Sequence, residues 1–119
     1  MLNYYNHLIW WTACRVIRLK FGLSVNCVQT LVSCYTYKMI VNKSFNLSDL
    51  VRFAKYFSHN RIKCYLTVLI DKGYVILSEQ RRIKDTYIIS PLGLSVIQEL
   101  NDSYNKELVK FCTMYNISL

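Results

Sequence analysis

The sequence predicts a mainly α fold of the α+β kind: a winged helix-turn-helix with a two-stranded wing and long helices at both ends. Three observations predict it. Residues 47 to 93 run as a short helix, a second helix ending at Lys72-Gly73-Tyr74, a strand, a basic hairpin tip, a second strand, and Ser90-Pro91-Leu92-Gly93. Segments 1–20 and 91–119 carry apolar residues at helical spacing over lengths greater than a small domain can cover. Between Arg52 and Lys84 there are eight Lys or Arg against two acids, Asp71 and Glu79, so cationic charge collects in the middle of the chain.

The first element is a helix, because Leu2 to Lys20 contains no Gly or Pro. Tyr5, Leu8, Ile9, Thr12, Val16 and Leu19 line one side of it, and Trp10, Trp11 and Ile17 occupy another. That is more apolar face than one contact can use. The link Phe21-Gly22-Leu23-Ser24 follows, with Ser24 placed to cap the next helix. Ser24 to Asn42 reads as a core helix on the recurrence of Val28, Leu31, Val32, Tyr35 and Met39. Core filling is the expected job of that stripe, with an effector cleft lined by Met39 and tyrosines as the alternative. Asn42-Lys43-Ser44-Phe45-Asn46 reads as a polar link. Asn46 or Ser48 then starts a short helix that holds Leu50, Val51, Phe53, Ala54 and Phe57.

The next helix carries most of the functional signal. Ile62, Leu66, Leu69 and Ile70 make its apolar stripe, and Ser58, His59, Asn60, Arg61, Lys63, Cys64 and Thr67 fall largely off it. One face packs and the other is free to read base edges. Gly73 stands where a helix end favours a residue able to take positive φ, with Lys72 suiting the negative end of the helix dipole. Tyr74-Val75-Ile76-Leu77 and Tyr87-Ile88-Ile89 are β-branched and aromatic runs too short for helices, separated by the polar span 78–86, and so form a hairpin. Arg81, Arg82 and Lys84 lie at or beside its tip, where long cations can reach phosphate or a minor groove. Ser90 caps the last helix and Pro91 is its first residue. Leu94, Ile97, Leu100, Tyr104, Leu108 and Phe111 give that helix its stripe.

The run Ile62, Leu66, Leu69, Gly73-Tyr74-Val75, basic wing, Ile89-Ser90-Pro91-Leu92-Gly93 resembles the MarR/SarA-like winged-helix transcription regulators. In these, a strand ends in Thr or Ser and a nearby Gly precedes a long dimerisation helix. Phe21-Gly22-Leu23-Ser24 is similar to the family's link between its first two helices, so the resemblance covers nearly the whole chain. It departs at the wing, where Arg81, Arg82 and Asp85 stand out of register with the family's Asp-x-Arg. The resemblance implies that the N-terminal half of the second helix-turn-helix element enters a DNA major groove. It further implies a cysteine in the first helix able to sense peroxides beside tyrosine hydroxyls, a role that would fall to Cys14 near Tyr4 and Tyr5.

Composition agrees with one domain spanning 1–119, in which 47–90 is the helix-turn-helix and wing and 1–20 and 91–119 are dimerisation helices. The chain is 53% hydrophobic with ten Tyr and two Trp, enough for a core and for apolar surface that meets a partner. Tyr5, Leu8, Trp11, Leu100, Tyr104, Leu108 and Phe111 are the residues expected at a two-fold interface. A formal net charge of +8 favours a polyanionic partner. No targeting or membrane-spanning segment is evident, which points to a cytoplasmic protein without a membrane partner.

Five cysteines without a Cys-x-x-Cys support neither a disulfide framework nor a metal site. With two His, three Gly and no nucleophile beside an orienting base, catalysis and a cofactor are not expected. His7 reads as structural, and His59 as either a DNA contact or an exposed turn residue. The expected function is a dimeric, sequence-specific, double-stranded DNA-binding transcription regulator with an effector of unknown identity. The alternative is a winged-helix protein-interaction module that uses the same face without reading sequence.

Overall fold

The helix boundaries follow capping chemistry almost residue by residue. In a computed structural model, which describes residues 2–55, 57–79 and 84–116 with side chains from residue 6 onward, the elements are α1 Leu2–Phe21, α2 Val25–Val41, α3 Leu47–Ala54, α4 His59–Asp71, β1 Val75–Glu79, β2 Thr86–Ile89 and α5 Pro91–Met114. Gly22, at φ +69°, ends α1, and the Ser24 hydroxyl accepts the Cys27 amide to start α2. Asn46 and Asp49 cap α3 reciprocally, each side chain accepting the other's amide at 2.8 and 3.1 Å. Ser58 caps α4 and Ser90 caps α5.

β1 and β2 form an antiparallel hairpin in the register Val75↔Ile89, Ile76↔Ile88, Leu77↔Tyr87, with a bulge between Leu77 and Glu79. Phe45, read from sequence as part of a polar link, instead joins this sheet. Its amide and carbonyl both bond Tyr87, at 2.9 and 2.7 Å, and its ring is only 1% exposed. A lone aromatic residue among polar neighbours was a signal of its burial, though not of its pairing, because a loop rarely carries a large apolar group without burying it.

Most buried residues make one cluster in which Ile17, Leu31, Leu50, Ile62, Leu69 and Val96 meet. α1 contributes to it through Ala13, Cys14 and Ile17, and Ile9 is buried outside it, whereas Leu8, Trp11, Thr12, Val16 and Leu19 are exposed. Of the stripe expected on α1, therefore, Ile9 alone of the described members packs inward. The helix is apolar on nearly every side, so periodicity could not choose between faces; α1 lies along α5 with Ala13, Cys14 and Ile17 in the core. On α5 the buried positions are Gly93, Val96, Leu100 and Cys112, flanked by half-buried Leu94, Ile97, Tyr104, Leu108 and Phe111.

Buried polar groups are internally satisfied. Thr30 donates to the Asn26 carbonyl at 2.9 Å and Thr86 to the Glu79 carbonyl across the bulge at 3.3 Å. Overall extents of 57 × 25 × 24 Å reflect long α1 and α5 projecting from the winged half. Among the described residues, no helix is long and apolar enough to cross a membrane.

Candidate nucleic-acid interface

α4 presents two chemically distinct sides. Ile62, Leu66 and Leu69 are buried against α2 and α3, and Tyr65 is held by a 3.0 Å hydrogen bond from the Asn26 amide. Ser58, His59, Asn60, Arg61, Lys63, Cys64 and Thr67 are all exposed. The expected reading residues on this helix and its cap thus share the solvent side. Ser58 is committed to the cap, its hydroxyl accepting the Arg61 amide at 3.4 Å, and the Thr67 hydroxyl donates to the Lys63 carbonyl at 2.8 Å. No described acid forms an ion pair with Arg61 or Lys63. Two solvated cations next to a helix N-terminus make a favourable environment for an anion.

The surrounding charges are less uniform than their spacing in the chain suggests. Arg52 pairs with Asp49 at 2.9 Å on α3. The Lys72 ammonium reaches back to Gly22 at the end of α1, at the opposite end of α4 from Ser58. Lys55, absent from the expected site residues, is exposed in the turn before α4 and holds a left-handed backbone at φ +57°. Its signal was weak, because an isolated lysine in a turn resembles any solvated charge. Lys84 is exposed and its ammonium lies 3.4 Å from the Ser48 hydroxyl, so the base of the hairpin tip sits beside the start of α3. Arg81 and Arg82 lie outside the described residues.

The residues expected at a two-fold interface divide. Leu8 and Trp11 are about half exposed at 55% and 49%, with the indole N–H donated to His7 Nε2 at 2.9 Å. Leu100, at 4%, packs in the chain's own core, a position that corrects its expected place on an outer contact. Tyr104 stacks obliquely on Trp10, Phe111 lies against Tyr115, and Leu108 is half-buried. The side chain of Tyr5 lies outside the described residues. Val109 and Met114, not singled out from sequence, are exposed at 52% and 71% and line an open cleft with Leu8 and Thr12.

A second cleft, of about 590 Å³, opens between α1, α2 and α5 and is lined by His7, Trp10, Tyr35, Asn101 and Tyr104 among others. Met39 does not line it and is 63% exposed. Cys14, the residue given a peroxide-sensing role by resemblance, is fully buried, and burial pushes its thiol up to about 11. That is the reverse of the lowered pKa that makes a thiol reactive. Among the described residues, no group of three or more His, Cys, Asp or Glu is placed to hold a metal ion.

No family model and no curated protein matches the sequence. Solved structures do match in shape. RV1404 from Mycobacterium tuberculosis superposes with a TM-score of 0.75 over 95% of this chain and 75% of its own, at 12% identity. MepR, a transcription regulator of the Staphylococcus aureus multidrug efflux pump MepA, gives 0.72 over 98% and 82%, at 8% identity. A MarR-family transcriptional regulator from Silicibacter pomeroyi gives 0.61 over 93% of this chain and 68% of its own, at 17% identity. The chain has a MarR-type winged-helix fold. In the MarR-type fold, α3 and α4 are the helix-turn-helix, β1 and β2 are the wing, and α1 and α5 are the long outer helices.

Proposed function

We propose that the protein is a homodimeric, sequence-specific double-stranded DNA-binding regulator of transcription. The observation that carries this reading is the outward side of α4, where Asn60, Arg61, Lys63, Cys64 and Thr67 are exposed together on a fold shared with transcription regulators. A helix-turn-helix inserts its second helix into the major groove, where Arg pairs with guanine and Asn with adenine. Lys84, with Arg81 and Arg82 in the segment between the strands, supplies cations to the flanking backbone or minor groove.

Dimerisation follows from what the single chain leaves uncovered. Leu8, Trp11, Val109 and Met114 are apolar, large and exposed on the projecting parts of α1 and α5. A second copy related by a two-fold axis covers such a surface and presents two α4 helices to half-sites about one DNA turn apart, roughly 34 to 36 Å. The test is a titration of the purified chain with DNA from the promoter of its own gene and with unrelated DNA, at several salt concentrations. Affinity falling steeply with salt and differing between sequences supports the reading. Binding that ignores both sequence and salt would leave the outward side of α4 as a protein-docking surface.

A further inference from the structure

Building on the DNA-binding reading, we infer that α4 recognises A·T base pairs through the thymine methyl group, with Cys64 and Thr67 as its specificity-determining contacts. Asn60, Cys64 and Thr67 are spaced i, i+4 and i+7, which places them in one row along the helix. All three are exposed, whereas Ile62, Leu66 and Leu69 are buried, so the row faces away from the core. Arg61 and Lys63 flank it on either side.

The chemistry of that row is unusual for a cationic helix. A cysteine offers a soft, weakly polar surface rather than a strong hydrogen-bond donor. The Thr67 hydroxyl would be a donor, but its proton is already given to the Lys63 carbonyl at 2.8 Å. What Thr67 has left to offer a base is its methyl group and a hydroxyl oxygen that can only accept, as from adenine N6. Val68, 37% exposed on the same side, extends the apolar strip. In the major groove, the C5 methyl of thymine is the apolar feature a base pair presents, and adenine across from it offers the N6 and N7 pattern that an Asn side chain pairs with. Asn60 stands one turn before Cys64. The row therefore matches an A·T pair or adjacent A·T pairs, and it has no strong donor at its centre for guanine O6.

The experiment selects binding sites for the full chain from a random duplex pool, then replaces thymine by uracil, position by position, in the enriched half-site. Uracil keeps every hydrogen-bonding group and removes the methyl alone. The wild type is expected to bind at least one uracil-substituted site about four-fold more weakly, the change that corresponds to one buried methyl-sized group. In Cys64→Ser or Thr67→Ser, or in both, that thymine-to-uracil ratio should fall towards one. Thr67→Ser keeps the hydroxyl, and both side chains are exposed, so folding is preserved and checked by melting temperature. Equal wild-type affinity for thymine and uracil at every position overturns the inference and leaves DNA binding intact. So does a ratio that persists unchanged in both variants, since it would then come from DNA shape. Failure to enrich any sequence overturns the sequence-specific reading and this inference with it.

Discussion

The Ser90 hydroxyl donates to the Gly73 carbonyl oxygen at 2.6 Å and so fastens the start of α5 to the turn that follows α4. The Ser90 amide bonds the Tyr74 carbonyl at 3.0 Å, and the Gly93 amide bonds the Ser90 hydroxyl at 3.0 Å. The helix bearing much of the proposed dimer surface and the helix proposed to read DNA thus meet at one buried joint.

Ser90→Ala removes the cap of α5 and the partner of the half-buried Gly73 carbonyl, and is expected to destabilise the fold by about 1 to 3 kcal/mol. Ser90→Thr should retain most of that stability. Gly93→Ala should cost more than Ser90→Ala, because a Cβ there would overlap the Tyr74 carbonyl oxygen and crowd the Ile89 side chain. Chemical denaturation of the three variants checks the order, and a Gly93→Ala protein as stable as wild type would refute it.

Charge placed on the outer helices separates assembly from folding. Val109→Glu puts a carboxylate on a side chain 52% exposed in the single chain, so it should leave the fold intact and convert a dimer to a monomer. Leu100→Glu buries the charge in the core and should unfold the chain, by the several kcal/mol that an unpaired buried charge costs. Sedimentation velocity with circular dichroism distinguishes the two. A wild type that sediments as a monomer at micromolar concentration would rule out the dimer.

Thiol chemistry follows burial. Cys64 is exposed, while Cys14, Cys27, Cys34 and Cys112 are buried, so an aromatic disulfide reagent should titrate one thiol rapidly in the native protein and all five after denaturation. Burial also raises the Cys14 thiol from 9.0 to about 11 and raises Cys34 as well. For a group whose folded pKa is raised, stability is complete below the unfolded value and falls as pH rises through the folded one. Stability should therefore decline from pH 9 towards pH 11, at up to about 1.4 kcal/mol per pH unit for each such thiol. Denaturation midpoints at pH 8, 9.5 and 11 test this, and Cys14→Ala should show a shallower decline.

Arg61→Ala should flatten sequence preference, losing about 1 to 3 kcal/mol of discrimination if its guanidinium pairs with guanine. Equal weakening on all sequences would make it a phosphate contact instead. For the hairpin tip, Arg81→Ala with Arg82→Ala removes four cations from a dimer complex. The slope of log affinity against log salt should then fall by at most roughly 3.6. An unchanged slope with an unchanged melting temperature would show that the tip does not touch DNA.

Local chemistry was legible in the chain itself. Capping serines, Gly73, Pro91 and the switch from helical apolar spacing to short β-branched and aromatic runs mark element order because each acts over only a few residues. The outward side of α4 was equally plain, since Ile62, Leu66 and Leu69 leave just one side for Arg61, Lys63 and Cys64. Tertiary structure alone decided three matters. It chose Ala13, Cys14 and Ile17 as the packed face of α1, a helix apolar on nearly every side, because that choice depends on how closely α5 can approach. It drew Phe45 into the sheet, a pairing across some forty residues that no local pattern encodes. And it turned the Thr67 hydroxyl proton back onto the Lys63 carbonyl, leaving a methyl group and an acceptor oxygen where the sequence shows a donor, because a side chain's chemical face is set by the hydrogen bond it has already made.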